Sequence, residues 1–173
     1  IGDKEHKDFD DYLRCKRQLF RQCKTGLINI DDQYANDILE GHTCRVETFG
    51  FSENADIRAT GVNLVHEPGY LGVSYRVSGL MNFDVAIFNV LNSLCAIAIC
   101  RHFNVNEKDI IKALNNIKVR GRVELVPVNG NYSVMIDYAH NAMSLKSLLT
   151  TIREYNPKRL VCVFGCGGNR SKD

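Results

Sequence analysis

Hydrophobic and polar positions follow a helical period at the start of the chain and a strand period soon after. At ~100° per residue, Phe9, Tyr12, Leu13, Leu19, Phe20 and Cys23 fall on one apolar stripe of a helix predicted over residues 8–24. Lys16 falls at the centre of that stripe, while Arg14 and Arg17 take the opposite face. "GLINI" (26–30) reads as a short buried strand. Asp31 or Asp32 can cap a helix running to about Leu39, which Gly41 ends. "CRVETFG" (44–50), "DIRATGVNLVHE" (56–67) and "LGVSYRVSG" (71–79) have strand chemistry. Leu71, Val73, Tyr75 and Val77 alternate with polar or small residues, which predicts a half-buried antiparallel strand, with Pro68-Gly69 as the turn before it. Residues 86–103 are apolar nearly all round and predict a central helix, and Asn106 caps a second one, "EKDIIKALNNI".

"KVRGR" breaks this rhythm. Strands 123–128 and 132–137 flank the turn "NGN", followed by a helix at 142–155, a strand at 159–164 and a Gly-rich loop. The second part is therefore a β-β-α-β unit, and the chain as a whole is α/β. A domain boundary is expected near residues 118–121, giving units 1–119 and 120–173.

Composition narrows the class. The 173 residues are 45% hydrophobic, enough for a real core, and the net charge of +2 gives no pointer to nucleic acid or an acidic membrane surface. No apolar run reaches the ~18 residues that span a bilayer. The opening "IGDKEHKDFDD" is polar and acidic, unlike a signal peptide. Several of the seven cysteines, including Cys95, Cys100 and Cys162, sit in apolar runs, and none has zinc-ligand spacing. A reducing cytoplasm is expected. The chain lacks an initial Met and stops at a strand running into "GCGGNRSKD", so it is expected to be an excerpt of a longer protein.

Candidate chemistry lies at five places. Lys16 either snorkels its ammonium to the rim or is desolvated. A desolvated amine spends time neutral and can act as a nucleophile or add carbon dioxide to become a carbamate, whose oxygens suit Mg²⁺. "FGCGGNR" (164–170) either presents backbone N–H groups to phosphate or is a tight turn. In "VMIDYAHNAMSLKSLL", Asp137 and His140 stand at the carboxyl end of a strand, where α/β sheets bind ligands. The alternative is that Asp137 only starts the helix and His140 is a surface residue. Asn89 and Asn92 lie one turn apart on an apolar helix, so two buried amides need either backbone partners or a purine edge. In "RGRVE", Arg122 and Glu124 stand at the expected joint, where Arg122 is either a surface charge or a bridge to a ligand.

Taken in order, Tyr12 to Phe20, "FNVLN" (88–92), "GRVE" (121–124), "DYAHNAMSL" (137–145) and "GCGGNR" (165–170) resemble the Mur ligase superfamily, and within it the branch that adds the third peptide residue of the peptidoglycan precursor. The resemblance covers nearly the whole chain. It implies the back part of a central ATPase domain followed by the start of a Rossmann-like C-terminal domain. It implies that Lys16 is carbamylated and helps to hold Mg²⁺ near the ATP phosphates, and that His6 belongs to the same metal and phosphate region. Asn89 and Asn92 would lie near adenine, Arg122 and Asp137 would contact the nucleotide, the Asp through ribose, and His140 would sit beside them. The substrates would be UDP-N-acetylmuramoyl dipeptide and a diamino acid, joined through an acyl phosphate by a monomeric cytoplasmic enzyme. No GxxxxGK[ST] loop occurs in the chain. The family has that loop upstream, so these residues alone are expected to be inactive. The alternatives are another superfamily ligase of the folylpolyglutamate or cyanophycin synthetase type, a plain nucleotide-binding module, or a non-catalytic scaffold.

Overall fold

The computed structural model describes residues 6–67, 70–78, 82–85, 90–117 and 119–165. In chain order these form α1 (Phe9–Gln22), β1 (Thr25–Asn29), α2 (Ala35–Leu39), β2 (Arg45–Gly50), β3 (Ile57–Glu67), β4 (Tyr70–Val77), β5 (Asn82–Val85), α3 (Val90–His102), α4 (Glu107–Asn116), β6 (Glu124–Val126), β7 (Val134–Ile136) and α5 (Ala142–Glu154).

One five-stranded sheet has the order β1-β2-β3-β4-β5. β1 and β2 pair in parallel across α2, with Thr25 opposite Arg45 and Asn29 opposite Phe49. β2 and β3 are parallel over Phe49↔Ile57 and Gly50↔Arg58 only. Because that overlap is short, the loop 51–56 joins them without a crossover helix. Carboxylates fix the loop: Asp31 Oδ1 accepts from the Ser52 N–H at 3.0 Å, and Asp56 Oδ2 accepts from the Thr48 N–H at 2.8 Å. β3, β4 and β5 then pair antiparallel. The period-2 reading of β4 is correct, with Val73, Tyr75 and Val77 all buried. Pro68 and Gly69 lie outside the described residues.

α3 is the centre of the core, as its all-round apolar sequence predicts. Leu94, Ile97 and Ala98 have no exposed surface, and they pack with Phe49, Ile57, Val73, Tyr75 and Val77 of the sheet and Ile110 and Leu114 of α4. Burying each large aliphatic side chain contributes about 1.5–3 kcal/mol. Asn106 caps α4 through a bond from the Lys108 N–H at 2.9 Å. A second cluster of Phe20, Ile28, Ala35 and Cys44 lies where α1 and α2 meet β1. β1 alternates between the clusters, with Ile28 in the second and Leu27 against the first.

Three expectations fail. First, β5 appears where no strand is predicted, since four residues are too few for a visible period. Second, residues 159–164 form no strand. Val161, Val163 and Phe164 are exposed, with no strand among the described residues pairing with them. Third, α2 begins at Ala35 and neither aspartate is its cap residue. Asp32 instead holds the Tyr34 N–H at 2.8 Å in a turn, and Asp31 is drawn to the 51–52 loop. After α4, β6 and β7 form an antiparallel hairpin, and α5 follows with Asn141 as its cap. The Tyr155 hydroxyl, at the end of α5, donates to the buried Gly72 carbonyl of β4 at 2.7 Å.

Candidate nucleotide and metal site

α1 carries the first group of residues. Asp8 caps it, accepting from the Asp11 N–H at 2.8 Å. His6 lies just before the cap, edge-on to Tyr12 at 5.3 Å between ring centroids. The Lys16 ammonium lies 5.2 Å from the centre of the same Tyr12 ring, within cation–π range. His6, Tyr12 and Lys16 are thus neighbours along one side of the helix.

That side is open, which corrects the reading of the apolar stripe. Lys16 is exposed, Leu19 is 63% exposed, and of the stripe only Leu13 and Phe20 are buried. The packed face is rotated toward Arg17. Its side chain is only 25% exposed, with Nη1 2.9 Å from the Glu40 carboxylate and Nε donating to the Asp37 carbonyl at 2.6 Å. Arg21 donates to the Glu40 carbonyl at 3.2 Å. A helix end leaves carbonyls without partners. Those of α2 recruit two arginines whose stems cover apolar surface on the way. The hydrophobicity of each residue type points at Lys16, whereas the polar ends of α2 determine which face packs.

Residues 119–140 carry the second group. Gly121 (φ 67°) and Val123 (φ 46°) both adopt left-handed backbone, which strains the β-branched valine. Two carboxylates stabilise this reversal. Glu124 accepts from the Gly121 N–H at 2.8 Å, and Asp137 Oδ2 accepts from the Val123 N–H at 2.9 Å. Asp137 Oδ1 takes the Ala139 N–H at 2.7 Å. Asp137 therefore ties the 121–123 turn to the end of β7, and Asn141 is the residue that caps α5, through the Ser144 N–H at 2.8 Å. The Arg122 guanidinium lies 5.5 Å from the centre of the Tyr138 ring, and His140 packs edge-on to that ring at 5.1 Å. Arg122, from the preceding turn, is brought here against Tyr138, beside Asp137 and His140 of the same short segment.

Tyr138 is the residue that sequence reasoning passed over. It is 58% exposed, with a cation beside its ring and a half-buried carboxylate next to it in sequence. Its position within "DYAH" is the signal that was available. Asn92 is exposed, contrary to the buried amide expected, because the core face of α3 is carried by Ser93, Leu94 and Ile97 instead. Asn89 and the loop from Cys166 onward lie outside the described residues. A surface cleft of about 310 Å³, lined by Arg45, Glu47, Asp56, Arg101 and His102 among others, lies at the opposite end of α3 from Asn92 and includes none of the candidate residues.

Two chemistries can be tested against this geometry. Lys16 is exposed and has no ion pair among the described residues, which is the rim position and not the desolvated one, so a carbamate with hard oxygen donors for Mg²⁺ rests there on the family resemblance and the open space around the amine. An exposed aromatic face, a guanidinium and a carboxylate with lone pairs left over fit the base, phosphates and ribose of a nucleotide.

Residues 3–100 match the Mur ligase middle domain, and residues 121–173 match the Mur ligase glutamate ligase domain. The chain belongs to the Mur ligase family. It is 35% identical, over 97% of its length, to a UDP-N-acetylmuramoyl-L-alanyl-D-glutamate–2,6-diaminopimelate ligase of Clostridium acetobutylicum, covering 35% of that protein. It is 32% identical, over 96%, to the ligase of the same name from Clostridium perfringens, covering 36% of it. The chain thus spans about a third of the length of these Mur ligases. The fold agrees with solved members. MurF of Acinetobacter baumannii superposes with a TM-score of 0.71 at 19% identity, over 85% of this chain and 34% of that one. Thermotoga maritima MurC gives 0.68 at 19% identity, over 86% and 34%. Escherichia coli FolC gives 0.60 at 18% identity, over 88% and 35%. Among the described residues no helix is long and apolar enough to cross a membrane.

Proposed function

We propose that this chain is part of an ATP-dependent amide ligase that joins a diamino acid, 2,6-diaminopimelate by the names of its relatives, to UDP-N-acetylmuramoyl-L-alanyl-D-glutamate in peptidoglycan synthesis. The observation that carries the reading is identity of 35% across 97% of the chain to a ligase of that name. A folylpolyglutamate synthetase of Lactobacillus casei shares the fold with a TM-score of 0.60, but at 14% identity it speaks for the fold alone. The two units are residues 1–119 and 120–173, and the intact enzyme works as a cytoplasmic monomer.

The reaction is phosphoryl transfer to the D-Glu carboxylate, then attack of the amine on the acyl phosphate with loss of phosphate. Residues on α1 serve the phosphate end. Lys16, carbamylated, would hold Mg²⁺, with His6 in the same region. Mg²⁺ bound there supplies charge neutralisation for the transferring phosphoryl group. The 119–140 segment serves the nucleoside end. Tyr138 offers a ring face, Arg122 a charge for phosphate, and Asp137 a carboxylate for ribose, with His140 bracing the tyrosine. Asn89 and Asn92 would read adenine, and Asn92 is exposed in the first turn of α3. Lys16 here is metal scaffolding and takes no proton.

The test is Lys16→Ala in the intact protein. An exposed surface substitution changes stability by no more than about 0.5 kcal/mol, so the fold should be intact while most ligation is lost. Short-chain carboxylates should restore part of it by supplying the missing oxygens. A Lys16→Ala enzyme as active as wild type would refute the role.

A further inference from the structure

We propose a second cation site, for a borderline-soft divalent metal of the Zn²⁺ class, formed by His6, Asp11 and Cys15 at the start of α1. It borrows His6 from the region assigned above to Mg²⁺ and phosphate, but it requires neither ATP nor ligation, and its thiolate and imidazole donors are not those of a Mg²⁺ site. A ring nitrogen of His6, a carboxylate oxygen of Asp11 and Sγ of Cys15 all lie within 4.8 Å of one another. Asp11 and Cys15 are four apart on one helix, so they share a face.

Two further observations point to an ion. His6 Nδ1 is shielded from solvent and has no well-aligned hydrogen bond, although the side chain as a whole is 24% exposed. It also faces Asp11 Oδ2 at 3.4 Å. Two light ligand atoms, each about 2.0–2.1 Å from a tetrahedral Zn²⁺, stand about 3.3–3.4 Å apart. The pair therefore already has the spacing of two ligands on one ion. Cys15 is exposed, so its side chain can turn to close the third edge. Oδ1 of Asp11 is held by Arg14 one turn on, and Oδ2 accepts from the Lys7 N–H at 3.3 Å while facing His6, so the carboxylate is fixed from both sides, as outer-shell partners fix ligands at metal sites. Nitrogen and sulfur donors suit Zn²⁺ and disfavour Mg²⁺. Three protein ligands leave the fourth tetrahedral position open.

Cobalt(II) is the probe. Titrated into the reduced chain, it should produce a thiolate-to-cobalt charge-transfer band and the ligand-field bands of a four-coordinate ion, both erased by Zn²⁺, which binds more tightly, and both indifferent to excess Mg²⁺. Cys15→Ala should abolish the charge-transfer band, whereas Cys162→Ala, at another exposed thiol, should retain it. His6→Ala should weaken cobalt binding by at least the roughly 10- to 100-fold that loss of even an outer-shell partner costs. Circular dichroism would check that each variant is folded. Absence of the band in the wild-type chain, or its survival in Cys15→Ala, would overturn the site.

Discussion

Lys16 and Arg17 differ by one position and about 100° of helix, and that rotation decides what each can do. Arg17 is consumed by the end of α2, whereas Lys16 is left facing solvent beside Tyr12. The anomaly of a lysine on the apolar stripe was legible in the sequence. Its exposure was not, because the stripe is computed from α1 alone and the carbonyls that rotate the helix belong to α2. Asp137 was legible as a site residue but not as the brace of a strained turn, since Val123 is fourteen positions away. That double role yields a prediction. Asp137→Ala leaves two backbone N–H groups without their carboxylate and should destabilise the fold by roughly 1.5–3 kcal/mol, measured by urea unfolding. In the intact ligase it should also weaken ATP by about 10- to 100-fold while leaving the UDP-substrate affinity unchanged. Unchanged stability would show that the turn stands without it, and an unchanged nucleotide Kd would confine Asp137 to the brace.

Among the elements, α3 was the most readable, because a helix apolar on all sides has no stable place except a core. Ile97 has no exposed surface, so Ile97→Ala should cost about 2–5 kcal/mol in urea or thermal unfolding, and a loss under 1 kcal/mol would mean α3 is not packed as described. The contact between α3 and β4 makes a second prediction. Ser93 Oγ donates to the Val90 carbonyl at 2.8 Å, so the Tyr75 hydroxyl is the donor in the bond between Tyr75 and Ser93. Burial pushes the Tyr75 hydroxyl above its ordinary value. The folded state thus releases this proton later than the unfolded chain does. Its contribution to stability is complete below about pH 10 and is lost as pH rises beyond. Unfolding midpoints should fall above that pH, and the fall should be shallower in Tyr75→Phe. An equal fall in both proteins would exclude Tyr75 as the source. β5 and the missing strand at 159–164 were illegible for opposite reasons. The first is too short to show a period, and the second shows one but meets no partner strand among the described residues.

For the molecule as a whole, the order of motifs carried the family before any coordinates did, and the α/β class followed from the switch between helical and strand periods. Neither the spacing of Arg122, Asp137 and His140 around Tyr138 nor the pairing of His6 with Asp11 could be read that way, since both depend on turns whose left-handed or capped geometry has no periodic signature. The proposed function assigns these residues to an ATP-dependent ligase acting on a UDP-linked dipeptide. The direct measurement is mass-spectrometric detection of product from the intact protein given ATP, UDP-N-acetylmuramoyl-L-alanyl-D-glutamate and 2,6-diaminopimelate, with phosphate release followed in parallel. The prediction is a tripeptide product formed in step with phosphate, with neither formed when the amino acid or the dipeptide is omitted. ATP hydrolysis without amide product, or no turnover with any diamino acid offered, would contradict it.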